Sequence, residues 1–302
     1  MINLAHIINP VKTGENSDLF VAQPVTFESM IRARQFSKFT DQINLYTTQF
    51  EEDTAIIPTC FTQLSHLERS ILAVNTELKG KKLPLIHDIL EKAYLETDEQ
   101  YIIYTNVDIA LMPHFYDRVI QLIENGHDAI VINRRRIRPD YKGIENLPEM
   151  YGELGRSHPG FDCFVFKRDL FDKFQLGSIC IGISFLEVTL LHNLSAFAKK
   201  PVFILDEHLT FHLGTDVLVP RKKNPYYHHN RKEYFEKIKP QLASKFELKK
   251  FPYGNLPWYE RAIKWGLNPS LFTRTYLQLE GKNFFQRVKM LLDEIRWRIL
   301  QR

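Results

Sequence analysis

Along the first half of the chain, short apolar runs alternate with stretches in which apolar residues recur every three or four positions. The runs Leu4–Ile8, Ile43–Thr47, 101–104 and 129–132 are rich in β-branched and aromatic residues, which predicts buried strands. Between them the spacing predicts helices over 26–39, with Thr26 as cap and Phe27, Met30, Ile31, Ala33 and Phe36 facing inward, and over 66–73 and 85–95. A further helix follows Pro113 and stops at Asn125-Gly126. The order β-α-β-α-β-α-β predicts an α/β fold with a mostly parallel central sheet flanked by helices. The second half is less regular. It reads as a loop over 138–157, a strand over 162–166, helices from about 169 and over 182–194, and short strands over 202–205 and 209–213. From Tyr226 the chain turns helical and basic, interrupted by Pro252, Pro257 and Pro269, and a last helix is predicted over 283–300.

The third strand ends in a polar tip, Thr105-Asn106-Val107-Asp108. In an open α/β sheet, ligands sit at the carboxyl ends of the strands, because helices cover both faces. If the strand continues through the tip, Asn106 and Asp108 share a side. Such an oxygen-rich pair suits a hard divalent cation carrying phosphate. The other role open to Asp108 is that of a helix cap ahead of the helix after Pro113, and for Asn106 that of a turn former.

Composition narrows the class. With 44% apolar and 25% charged residues and no biased tract, the chain reads as an ordinary globular protein. Cys60, Cys163 and Cys180 lie far apart, which argues against a disulfide framework or zinc site and for a reducing compartment. The stretch MINLAHIINPV lacks the basic lead and apolar run of a signal peptide, and no stretch approaches the ~20 apolar residues of a membrane span. A cytoplasmic protein is expected. The net charge of +4 is mild for a nucleic-acid binder, and no nucleic-acid partner is expected. The surplus is concentrated in 282–302, where six Lys and Arg stand against Asp293 and Glu294. There Phe284, Val288, Leu291, Leu292, Ile295 and Ile299 form one stripe. A basic amphipathic helix of that kind either lies on the inner face of a membrane or packs on the preceding domain.

Over roughly 1–215 the chain resembles the nucleotide-sugar-dependent glycosyltransferases of the GT-A fold. Asn106-Val107-Asp108 is similar to their DxD motif, whose acids hold a divalent metal that bridges the donor diphosphate; Asn106 replaces the first acid, and Asp108 stands where the last is often the metal ligand. The stretch HPGFDCFVF, 158–166, resembles the acceptor-side strand that follows a mobile loop in these enzymes. Glu187, in GISFLEVTL, stands where an inverting member carries its base, and His212, in LTFHLG, resembles the histidine that completes the metal site in many members.

The resemblance implies a GT-A-like (Rossmann-like) catalytic domain over 1–225 and a basic helical extension over 226–302. The catalytic domain would have a nucleotide-sugar half, 1–135, and an acceptor half, 136–225. It also implies transfer of a sugar from a nucleotide-diphosphate donor to a sugar or glycan-precursor acceptor, in glycan or polysaccharide biosynthesis, with Mn2+ or Mg2+ as cofactor.

Several residues then acquire expected roles. Asp108 and His212 would hold the metal, with His208 as the alternative histidine. Glu187 would take the acceptor proton, with Asp162 as rival or as a ligand of the acceptor hydroxyl. Arg134, Arg135 and Arg136, with Arg138, follow the fourth strand at the same sheet edge, where guanidinium forks suit phosphate oxygens; a solvated face is the other reading. The Lys79, Lys81, Lys82 turn is a further phosphate candidate. Two other functions remain open. One is nucleotidylyl transfer, disfavoured because 9–14 supplies a single glycine for a phosphate loop. The other is a catalytically degenerate domain that binds a glycan or partner.

Overall fold

Leu4–Ile8 form strand β1, and all five residues are buried. A strand with no exposed face needs cover on both sides. The chain continues with α1 (Leu19–Phe36), β2 (Ile43–Thr47), β3 (Thr62–Gln63), the single-turn α2 (Ile71–Val74), α3 (Ile86–Glu96), β4 (Tyr101–Thr105), β5 (Ala110–Leu111) and α4 (Phe115–Glu124). Then come β6 (Ala129–Ile137), α5 (Leu147–Gly152), β7 (Arg156–Lys167), α6 (Leu186–Phe197), β8 (Pro201–Ile204) and β9 (Thr210–Leu213). Last are α7 (Pro225–Lys232), α8 (Lys239–Leu242) and α9 (Trp258–Leu267). The computed structural model describes residues 2–205, 207–213, 224–245 and 247–267.

The strands lie in the order β3-β2-β1-β4-β7-β6-β9-β5, with β8 against β6. β1 is parallel to β2 and β4, and β6 is parallel to β8 and β9. β7 is antiparallel to both β4 and β6, so those two run the same way with β7 reversed between them. The fold is α/β with a mostly parallel sheet, as the element order predicted.

Side-chain parity sorts the two faces. Leu4, Ile8 and Ile103 pack with Phe27, Met30 and Ala33 of α1 and Phe115, Tyr116 and Val119 of α4. Ile7, Ile102 and Tyr104 point the other way, where α3 and α6 lie against the sheet. Each of these fully buried side chains contributes roughly 1.5–3 kcal/mol by leaving water.

Several boundaries depart from expectation. α1 begins at Leu19 rather than near Thr26, and Pro24 lies inside it. Ala22, Gln23 and Val25 are buried there, so packing carries the helix through a residue that local rules read as a stop. The predicted 66–73 helix contracts to α2, capped by Ser70. The segment from 169 forms only a 3-10 stretch, Arg168–Lys173. The 138–157 loop begins where expected, is shortened at its carboxyl end by β7 starting at Arg156, and contains α5.

Two compact units divide at 251/252. The first contains the sheet and α1 to α8; the second contains α9, whose Trp258 and Ile263 are exposed. The helix expected over 283–300 lies outside the described residues. Among the described residues, no helix is long and apolar enough to cross a membrane.

Candidate functional site

β4 stops at Thr105, and the chain turns. The Asn106 carbonyl accepts the Ile109 N–H at 3.1 Å, closing a tight turn over 106–109. The strand therefore does not run on through Asn106 and Asp108, in a turn of the kind that Asn and Asp readily enter. The cap position of α4 is His114, so Asp108 does not cap that helix.

Within this turn, Asp108 and Asn106 face different partners. His212, on β9, places Nε2 3.1 Å from Asp108 Oδ2. Burial alone would raise the Asp108 pKa, but the hydrogen bond from His212 and the charges of His212 and Arg134 outweigh it and hold the carboxyl below its ordinary value. The group is thus held as an anion. Asn106 Oδ1 accepts the Tyr104 hydroxyl at 3.0 Å, and its amide donates to Asp162 Oδ1 at 3.1 Å. The Arg134 guanidinium pairs with the other Asp162 oxygen. Asp162 is therefore engaged at both oxygens.

The structure thus joins Asn106, Asp108, Asp162, Arg134 and His212 in one neighbourhood. Other expected residues lie differently. Arg135 donates to the backbone carbonyls of Leu154 and Gly155, which fastens the start of β7. Arg138 pairs with Glu153 at 3.0 Å, and Arg136 sits beside His212 in the β6–β9 register. Glu187 lies in the first turn of α6, half-buried. His208 precedes β9 rather than sharing a strand with His212, and burial first, then Arg135 and His114, lowers its pKa.

A cavity of about 560 Å³ opens over the carboxyl ends of β1, β2 and β4. Asn9, Val11 and Lys12 reach it from β1, Phe50 and Asp53 from beyond β2, and Asn106 and Asp108 from β4. Two further loops line it, one through Lys81 and Lys82, the other through Ile181 and Gly182. Asp53 Oδ1 accepts the Lys12 N–H at 2.7 Å, tying the loops after β1 and β2 together. Lys82 pairs with Glu52 at 2.7 Å and lies 3.9 Å from the Phe50 ring centre.

Sequence reasoning missed Lys12, Phe50 and Asp53. They carry no motif, but each follows a strand at its carboxyl end, so the topological rule that pointed to Asp108 applies to them equally. The basic turn before Leu83 was visible as a charge run, and its place on the cavity follows from the fold.

Asp108 and His212 offer one carboxylate oxygen and one imidazole nitrogen. Among the described residues, no third His, Cys or acidic side chain joins them. The clustered trio is elsewhere, at His87, Asp88 and Glu91, where both Asp88 oxygens already bind Arg69 at 2.8 Å. A two-ligand site fits a divalent cation whose remaining positions are filled by phosphate oxygens and water.

No protein-family model matches the chain, and no curated protein does. Solved structures similar to it include S. aureus TarS 1-349 in complex with UDP-GlcNAc, at 8% identity and TM-score 0.44, covering 82% of this chain and 77% of that one. Glucosyl-3-phosphoglycerate synthase of M. tuberculosis is 12% identical with a TM-score of 0.43, covering 81% of each chain. The bifunctional IspDF of Campylobacter jejuni is 13% identical with a TM-score of 0.38, covering 68% of this chain and 50% of that one. With every TM-score below 0.5, these are distant likenesses of fold, and function has to be read from the side chains.

Proposed function

We propose that the chain is a GT-A-type glycosyltransferase that moves a sugar from a nucleotide-diphosphate donor to a sugar or glycan acceptor. The observation that carries this is the Asp108–His212 pair, 3.1 Å apart, beside a cavity of nucleotide size at the carboxyl ends of parallel strands. The nucleoside would lie toward Val11, Phe50 and Asp53, and the diphosphate toward Lys81, Lys82 and Asp108.

Asp108 and His212 would hold Mn2+ or Mg2+; the imidazole favours manganese. When bound, such a cation supplies neutralisation of the charge that develops on the departing diphosphate. Arg134, anchored by Asp162, adds a guanidinium on the same side. Asp162, engaged at both oxygens, serves to hold Arg134 and Asn106 rather than to accept a proton. Glu187 is the carboxylate assigned to the acceptor hydroxyl if the transfer inverts the sugar; a retaining transfer needs no such base. The loop before it reaches the cavity through Ile181 and Gly182.

A chromatographic screen of donor hydrolysis across common nucleotide sugars tests the reading. One donor is expected to turn over, and Asp108→Ala to reduce that turnover on the order of 10²–10³-fold with an unchanged melting temperature. Near-wild-type turnover in the variant would refute the assignment.

A further inference from the structure

The two loops that complete the cavity belong to no strand, yet both are fastened by one helix. Gly80, at φ +106°, and Gly182, at φ +71°, lie in the left-handed region, which glycine adopts without steric cost. On α7, Tyr226 Oη lies 2.9 Å from the Lys79 carbonyl and 3.1 Å from the Lys81 carbonyl, sharing its proton between the two groups that flank Gly80. The Tyr226 ring is buried with Ile71, Leu78, Leu85 and Cys180.

One turn on, His229 Nε2 donates to the Ser178 carbonyl at 3.0 Å, and its Nδ1 accepts from Asn75 at 3.2 Å. Asn230, with no exposed surface, accepts the Cys180 N–H at 3.0 Å and donates to the Cys180 and Ser184 carbonyls at 2.9 and 3.2 Å. Positions 226, 229 and 230 share one helix face. That face therefore grips the basic turn on one hand and the Cys180–Ser184 turn on the other.

What the basic turn presents is Lys81. Lys81 lines the cavity, and its ammonium has no hydrogen bond or ion pair among the described residues, whereas Lys82 is occupied by Glu52 and Phe50. We propose that α7, which the sequence places at the start of a separate extension, is part of the donor site, and that Tyr226 is a positioning residue. By fixing the turn around Gly80, it directs the Lys81 ammonium at the donor diphosphate. This rests on the donor reading above and adds to it which lysine meets the phosphates and what orients it.

The test is a double-mutant cycle read by calorimetry, with UDP, GDP, ADP, CDP and dTDP titrated singly in the presence of manganese. Tyr226→Phe keeps the buried ring and removes only the hydroxyl; it is expected to weaken binding of the preferred diphosphate about 5- to 10-fold. Lys81→Ala is expected to weaken it by as much or more, and the double variant to bind no worse than Lys81→Ala alone. Gly80→Ala strains the same turn, its Cβ coming 3.5 Å from the Tyr226 hydroxyl, and its loss of affinity should likewise vanish in the Lys81→Ala background. Wild-type affinity in Tyr226→Phe, or losses that multiply in the double variant, would overturn the proposal while leaving the donor reading intact. If the unmodified protein bound no diphosphate, the donor reading would fall and this proposal with it.

Discussion

His6 shows how one residue couples the core to pH. It lies on β1 with no exposed surface, Nδ1 2.8 Å from the Tyr116 hydroxyl and Nε2 2.9 Å from Thr105 Oγ1. Burial pushes its pKa down to about 3. Burial, with the charge of Lys239 added, takes His192 to about 3 as well. A histidine held neutral in the folded state takes up a proton on unfolding once the pH is below its ordinary value. Stability is therefore lost as pH falls from about 6.5 toward 3, by about 1.4 kcal/mol per pH unit for each group. Urea unfolding of wild type and His6→Gln between pH 6 and 4 should show slopes that differ by one proton; parallel slopes would contradict the account. At this scale, legibility in the sequence followed residue chemistry. Asp108 stood out because a carboxylate just past a strand end suits a cation, and His212 through the resemblance to GT-A enzymes, whereas Asp53 and Phe50 look ordinary until the strands that present them are assembled.

Among the elements, the strand runs were the most legible, since β1 and β2 coincide with the apolar runs that announced them. The reversal of β7 between β4 and β6 was not, because alternation reports which face a side chain takes and not which way the strand runs. The start of α6 was also displaced, from 182 to Leu186, and Phe185 explains it. Its φ of +84° breaks the helix on its amino side, in a region that costs a non-glycine residue roughly 1–2 kcal/mol. The ring packs within 5.8 Å of Tyr227, Tyr234 and Phe235, and that aromatic cluster offsets the strain. Phe185→Gly and Phe185→Ala both lose the ring, but only glycine relieves the backbone. Phe185→Gly is thus expected to be the more stable of the two by about 1 kcal/mol in urea unfolding, and the opposite order would contradict the strain argument.

For the molecule as a whole, the consequence lies in how the site is divided. β1, β2 and β4 run in parallel, so their carboxyl ends gather backbone loops and a few side chains around one cavity. Among the described residues, the side chains proposed to hold a cation beside it are two, Asp108 and His212. A cation held by two side chains relies on phosphate for the rest of its shell, so cation and nucleotide should each strengthen the binding of the other by the same factor. Titration of the preferred nucleoside diphosphate with and without manganese, into wild type and Asp108→Ala, measures that coupling directly. Manganese is expected to tighten nucleotide binding about 10-fold or more in the wild type and to leave Asp108→Ala unchanged. An affinity indifferent to manganese, or the same enhancement in both proteins, would contradict the claim that residue 108 anchors a cation–diphosphate pair.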